Sequence, residues 1–546
     1  MILRRLSRFV GTILVTLTVF VGAVRLAGRC NVLAQAQTGS GAAAQQGTAA
    51  TNTPTIHVYT RETIVDVLVT DDKGQPVRGL TRSDFTVEED GHPQPILSFH
   101  EYSKEAHHTS PPVLPPNTWS NTPAMAASGP IQIFLFDRVA SKPADLQRAK
   151  QYIANYLRSM PAGTTVALFS LSPSKGLRLL QGFTSDGALA ASSVENLDVE
   201  WGPEPLVGLP NGIAAANQIA AYVASMHGRK NLIWILTGSP PPIVHDGGLS
   251  WGNIDMVLVH RLMNLYDLFT KEQIAIYPLD PKGVHTEGPS TGKMDTLQEA
   301  RAFLGRAEVP LLEEAVADET GGAVSNSNDY QGTIADVVNK TSHMYTLSYV
   351  PTRPDEDGHF HPIKISVDRP GLHLTYRPGY NDEQPFPLDA VLKQQMIQGP
   401  MRLGAIPATQ ILFDLQVQPA SLSAQSAKTP VSIPTPPHTK VVPYDTTFTF
   451  DPTQIALAET PDGSRTANIE LDLGAFDFYG KLVAARSQTF KITVTPAQYN
   501  GFFRTPLKFS LPIDLPHGQL TLHAGLFDTV ANKAGTLEIP LTVAKK

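Results

Sequence analysis

The chain has 546 residues, 42% of them hydrophobic and 17% charged, with a formal net charge of −7. That balance supports packed cores in several domains of roughly 150 residues each, and it lacks the basic face with which nucleic-acid binders hold phosphates. The only cysteine is Cys30, so the chain has no pair for an internal disulfide.

Residues 1–36 read as a signal peptide. Arg4, Arg5 and Arg8 precede an apolar run from Phe9 to Val24, and Ala34–Gln35–Ala36 offers a small-x-small cleavage site. The run falls short of the ~20 residues that a spanning helix wants. Arg25 and Arg29 separate it from the cleavage site, which leaves an uncleaved membrane anchor as the alternative. The expected location is exported: periplasmic, cell-surface or secreted. Residues 37–55 are small and polar, a flexible linker.

Residues 56–103 carry a β pattern. Val65, Val67 and Val69 alternate on one face, a turn follows at Asp72–Lys73–Gly74, and Asp90–Gly91 signals a hairpin. Residues 104–130 are rich in Pro, Ser and Asn and read as a Pro-rich linker. From 131 to 342 the period changes. Ile131 to Phe136 is a continuous apolar run suited to a strand covered on both faces. Leu146, Ala149, Ile153, Tyr156, Leu157 and Met160 then recur at helical steps. Two strands joined by a short turn follow, then an Ala-rich helix ending at Gly228 and a buried strand from Asn231 to Thr237. A helix from Met256 to Phe269, a strand from Ile274 to Leu279 and a helix from Val309 to Glu319 complete the series. This alternation predicts an α/β domain with a mostly parallel, doubly wound sheet.

Residues 343–380 return to strands, 381–404 form a linker, and 405–546 read as an all-β, immunoglobulin-like sandwich with a long loop from Ala420 to Pro443. Neither 56–103 nor 343–380 has enough strands to bury its own core. The two are expected to pair into one β-sandwich around the inserted α/β domain, with Val65, Val67 or Val69 against the strands of Tyr345 to Val367.

The segments "VDVLVTDDKGQPVRGLTRSDFTVEEDG", "IFLFD", "RKNLIWILTG", "IYPLDPKG", "LEEAVADETGG" and "YTLSYVPTRPDEDGHFHPIKISVDRPG" occur in one order. They resemble the VWFA-related domain family of acidobacterial genomes over about residues 56–380. The resemblance implies an exported protein with a von Willebrand factor type A-like domain, and it brings no well-established activity. Domains of this type often bind Mg²⁺ with an Asp-x-Ser-x-Ser loop, a Thr from a second loop and an Asp after the fourth strand, a donor set suited to a hard cation. Here the first loop reads Asp137–Arg138–Val139–Ala140–Ser141, so Val139 replaces the first serine. The second reads Gly208 to Gly212, "GLPNG", without a hydroxyl, and Gly238 stands where the second acid belongs.

What the resemblance implies is therefore a degenerate metal site, of which Asp137 and Ser141 remain. No cofactor is expected, and Mg²⁺ is kept as the open alternative. Asp280 could replace the missing acid and Ser239 could supply a hydroxyl. Read on their own, Asp137 caps the helix start or pairs with Arg138 or Lys142, and Ser141 is a helix-start residue ahead of Pro143. The candidate ligand-binding set at the carboxyl edge of the sheet is Asp137, Ser141, Asn211, Ser239 and Asp280.

Other chemistry is sparse. His359 and His361 would share a face if extended, as a metal pair does, but without a third ligand nearby in sequence they read as exposed hairpin histidines. His107–His108 reads as solvated linker, and Asp355 to Gly358 as a plain turn. The chain contains no H-E-x-x-H, no G-x-S-x-G and no phosphate loop. The expectation is a non-enzymatic protein that mediates protein–protein or cell-envelope interaction. A metal-dependent adhesin with a modified site, an exported hydrolase and an architectural envelope protein are the alternatives.

Overall fold

The structure, a computed structural model, describes residues 62–102, 114–123, 130–138, 141, 143–172, 176–198, 208–226, 228–236, 264–265, 268–280, 320–323, 329–352, 360–381, 399–420 and 440–544. The first strands are β1 (Thr63–Asp71), β2 (Phe85–Glu89), β3 (His92–Gln94), β4 (Ile96–Tyr102) and β5 (Thr118–Ser120). Asp71 Oδ1 holds the turn after β1 by accepting from the amides of Lys73 and Gln75. Asp90 and Gly91 both take positive φ, 52° and 73°, as a two-residue hairpin between β2 and β3 requires.

The α/β part follows: β6 (Ile131–Asp137), α1 (Pro143–Arg158), β7 (Thr165–Ser172), β8 (Gly176–Thr184), α2 (Gly187–Glu195), α3 (Gly208–Val223), β9 (Lys230–Ile235), β10 (Ile274–Leu279) and α4 (Tyr330–Lys340). Its sheet runs β10-β9-β6-β7-β8. β6, β7, β9 and β10 pair in parallel, and β8 is an antiparallel edge. Odd positions of β6 (Ile131, Ile133, Leu135) pack with Leu232, Trp234 and α3. Even positions (Phe134, Phe136) pack with α1, α2 and α4. Pleat alternation thus explains why the run is apolar throughout: each face meets a helical layer. Helix α2 carries little apolar periodicity. It is started by Asp186, whose carboxylate accepts from the amides of Ala188 and Leu189. The helices read at Met256 to Phe269 and Val309 to Glu319 fall largely outside the described residues.

After α4 come β11 (Met344–Tyr349), β12 (Phe360–Val367), β13 (Leu372–Thr375) and β14 (Gly379–Asn381). The expected pairing is present: Val65 faces Leu347 and Val67 faces Tyr345 in an antiparallel β1–β11 ladder. Two four-stranded sheets result, β13-β1-β11-β4 and β14-β12-β2-β3. They share one core of Val65, Val67, Val69, Phe85, Val87, Tyr345, Leu347, Tyr349, Ile363 and Ile365. His361 is in phase with Ile363 and Ile365 on β12 and is 7% exposed. The reading of His361 as an exposed hairpin histidine is therefore corrected, because a period of two carries it to the buried face. His359, His107, His108 and Asp355 to Gly358 lie outside the described residues.

The remaining strands are β15 (Phe413–Pro419), β16 (Val441–Phe450), β17 (Ala458–Glu459), β18 (Arg465–Phe476), β19 (Leu482–Val494), β20 (Leu507–Ser510), β21 (Ile513–Pro516), β22 (Gly518–Asp528) and β23 (Lys533–Val543). They form two sheets around one core. The first contains β5, which pairs with β15. Part of the stretch 104–130, read as linker, is thus a strand of the C-terminal sheets. Asn121 (7% exposed) fastens it: its Nδ2 donates to Ile411 O at 2.9 Å, and its Oδ1 accepts from Phe413 N at 2.8 Å.

The two β parts contact the α/β part away from the carboxyl ends of its strands. At the amino ends, Gln273 Nε2 donates to Asp66 Oδ1 (2.9 Å). On α3, Thr409 N donates to Ala221 O (2.8 Å), and Thr409 Oγ1 accepts from Ser225 N.

Two predictions follow from this packing. Asn121→Ala strands a buried amide and a buried carbonyl, so it should cost about 1–3 kcal/mol in denaturant unfolding and should speed proteolysis within 114–123. The second concerns His343, where the chain re-enters β11. It is 2% exposed, with Nε2 2.9 Å from Glu101 Oε1. Burial lowers its pKa below 6.5, ahead of the opposing pull of Glu101, and Arg78 lowers it further. The unfolded state then binds the proton more readily, so stability is whole above pH 6.5 and falls as pH drops through that value toward the depressed folded pKa. The melting temperature of His343→Gln should be flatter across pH 7 to 5 than that of the parent chain.

Candidate ligand-binding edge of the parallel sheet

β6 is the strand at which the chain order reverses. β7 follows it on one side, and β9 lies on the other. Connections leaving the carboxyl ends of β6 and β9 therefore run to opposite faces, and the crevice between them is where open α/β sheets receive ligands. Asp137 closes β6 at this crevice and is 4% exposed. It continues the odd-numbered face of the strand, the face that carries Trp234 of β9. The Trp234 indole Nε1 donates to Asp137 Oδ2 at 3.1 Å, and the ring is 1% exposed. A buried indole N–H needs an acceptor, and this carboxylate supplies it.

The indole also reaches the second loop. A Cβ on Gly212, in the first turns of α3, would lie 3.6 Å from Trp234 Cζ2. The ring thus occupies space beside the helix start. Arg138 is 6% exposed, and its amide donates to Leu171 O (2.9 Å), which extends the β6–β7 ladder by one bond.

The other candidates are placed as follows. Ser141 is half-buried, two residues ahead of Pro143 at the start of α1. Asn211 lies in the first turn of α3, and its side chain falls outside the described residues. Ser239 lies outside them altogether. Asp280 is half-buried directly after β10. In the sheet order β9 separates β10 from β6, so the strands bearing Asp280 and Asp137 are about 10 Å apart at 4.7–4.9 Å per strand. Trp234 is the functional neighbour that spacing gave no hint of. The available signal was chemical, since a tryptophan one residue from the end of a fully buried strand has to find a polar partner.

A hard-cation site needs several oxygen donors around one point. Among the described residues, the crevice holds the Asp137 carboxylate, one oxygen of which is already bonded to an indole, and Ser141, and the second loop has no hydroxyl in its sequence. This donor set does not fit the Mg²⁺ arrangement of the type A domains.

The fold is an α/β arrangement of the kind expected from the resemblance to von Willebrand factor A-like domains: parallel strands with one antiparallel edge, covered by helices on both faces. Among solved structures, the chain is similar to an aerotolerance-related membrane protein from Bacteroides fragilis carrying multiple mutations to serine (18% identity, 39% of this chain and 99% of that one, TM-score 0.26). It is also similar to BatB from Bacteroides thetaiotaomicron (18% identity, 39% and 99%, TM-score 0.25). A third is the vWF domain of the type V pili tip protein Mfa5 from Porphyromonas gingivalis (15% identity, 30% and 57%, TM-score 0.18). No family model matches the sequence, and no curated protein does. Among the described residues, no helix is long and apolar enough to cross a membrane.

The Asp137–Trp234 bond is testable by a double-mutant cycle of Asp137→Ala and Trp234→Phe, read by chemical denaturation. The coupling should be on the order of 1.5–3 kcal/mol, as for hydrogen bonds to charged groups. Millimolar Mg²⁺ should leave the parent melting temperature unchanged.

Proposed function

We propose that this chain is an exported, non-enzymatic interaction protein. Its type A-related domain presents the loops at the carboxyl edge of the parallel sheet to a protein partner of the cell envelope or extracellular space, without a complete metal-ion-dependent adhesion site. The observation that carries this reading is the state of Asp137: the one acid kept from the metal loop is buried and bonded to an indole instead of standing open to a cation. In support, the hydrogen bonds described from the two β parts fall on Gln273 at the amino edge and on Ala221 of α3, away from the carboxyl edge. On this reading the two β parts, the first a sandwich that carries the insert and the second immunoglobulin-like, are the frame that holds the edge outward. Function on this reading is shape and hydrogen-bond recognition by loops on a rigid scaffold.

The test is capture of envelope proteins by the immobilised mature chain, with and without EDTA. The bound partner should be retained in EDTA and lost from a Ser141→Arg, Asp280→Lys variant that keeps the parent melting temperature. Release by EDTA, with recovery on Mg²⁺, would show the metal-dependent adhesin instead.

A further inference from the structure

The first pair of sheets holds a cluster that the carboxyl-edge site does not use. Glu89 ends β2, Asp90 occupies the hairpin turn beside it, and His361 lies near the start of β12. One ligand atom from each lies within 4.8 Å of the other two. Asp90 Oδ2 is 2.7 Å from His361 Nδ1. Glu89 is 3% exposed.

The carboxylate and the imidazole are held from behind. Glu89 Oε2 accepts from Tyr349 Oη (2.5 Å) and from Tyr380 Oη (3.1 Å). The Tyr380 ring stacks on the His361 ring, with centroids 5.4 Å apart and planes at 29°. Tyr380 thus orients both a carboxylate and an imidazole, as the outer partners of metal ligands do. Both bonds to Glu89 end on Oε2, and no ion pair to it is formed among the described residues. A carboxylate this deep normally has a cation nearby. Arg377 lies over the Tyr380 ring, 5.6 Å from its centroid, and the trio offers a place for a second cation beside the turn.

We infer that Glu89, Asp90 and His361 form a binding site for one divalent cation of the zinc type. One imidazole with two carboxylates is a nitrogen–oxygen set that Zn²⁺ takes, with room for water as a fourth ligand, whereas Ca²⁺ and Mg²⁺ favour oxygen alone. The ion ties the β2–β3 turn to β12, which lies on the other side of the inserted α/β domain, 271 residues away in sequence. Such a cross-link removes chain entropy from the unfolded state as a disulfide does, in a chain whose single cysteine cannot form one. This inference rests on the trio alone and is independent of the interaction reading of the carboxyl edge.

The test is Zn²⁺ and Co²⁺ titration of the metal-stripped full chain, followed by calorimetry, by melting temperature and by the Co²⁺ visible spectrum. The parent chain should bind one Zn²⁺ that raises the melting temperature, and its Co²⁺ spectrum should show nitrogen–oxygen coordination. Glu89→Gln, which keeps acceptors for both phenols, and Asp90→Asn, which keeps a partner for His361, should each weaken that binding at least about 10-fold. Tyr380→Phe should weaken it about 10-fold while the ligands stay in place. Zn²⁺ affinity and stoichiometry unchanged in both ligand variants would place any bound zinc on other histidines and overturn the assignment. So would Ca²⁺ binding as tight as Zn²⁺, or no zinc-dependent rise in melting temperature.

Discussion

The antiparallel ladder between β1 and β11 is the contact on which the rest of the architecture depends. Thr63 to Val67 pair with Tyr349 to Tyr345, and everything between them in sequence, the whole α/β part included, is enclosed by that closure. Neither half buries its apolar face alone. Joined, they place Phe85, Phe99 and Tyr345 in mutual contact at ring-centroid distances of 5.3–5.7 Å, where each aromatic pair adds roughly 0.5–1.5 kcal/mol beyond area burial. The Tyr345 hydroxyl also donates to Val77 O and accepts from Leu80 N, so the same residue fixes the loop between β1 and β2. Closing this ladder costs a long loop's entropy, but that cost grows only logarithmically with length, which is why a whole domain fits inside it.

Closure at that point dictates the orientation of the insert. β6 begins and α4 ends at the amino edge of the parallel sheet, beside the joint. The carboxyl edge therefore lies at the end of the parallel sheet opposite the joint with the first pair of sheets. Within the crevice, an indole and a cation would hold Asp137 by different chemistry. An ion would hold Asp137 through charge and demand further oxygens. The Trp234 N–H satisfies one carboxylate oxygen and adds a large apolar surface, so the edge is stiffened by packing against α3.

How much of this was legible follows from the range over which each signal acts. The apolar run of β6, the alternation of Val65, Val67 and Val69, and the turns at Gly74 and Gly91 are local, and each appears where its pattern places it. β5 was not legible, because Thr118–Trp119–Ser120 is too short to show a period and becomes a strand only when β15 supplies the ladder. α2 was not legible either, since its Ala- and Ser-rich face is weakly amphipathic and its clearest mark is the cap at Asp186. The indole on Asp137 spans 97 residues, and the imidazole on Asp90 spans 271. Contacts of that range have no periodic trace. His361 did carry a local clue, the odd-numbered phase with Ile363 and Ile365, which the turn-like residues just before it in sequence obscured.

The joint between the insert and the first pair of sheets is built differently from the other packed surfaces. It is polar. Arg229, Lys230, Asp66, Gln273 and Arg377 meet around a small cavity or directly beside it. Burial pushes the Lys230 amine down to about 8, against the pull of Glu272 and Asp66, and it pushes the Glu272 carboxyl up. On the sheet side Arg377 donates to Ile64 O at 2.9 Å, and on the insert side Arg229 bonds Gly321 O. An apolar joint of equal area would tolerate small rotations with little loss. Here a rotation breaks the Gln273–Asp66 hydrogen bond and leaves polar groups in a buried joint without a partner, which costs their desolvation. The polar joint therefore adds little net stability and favours the orientation in which the Gln273–Asp66 bond forms, at the opposite end of the parallel sheet from Asp137.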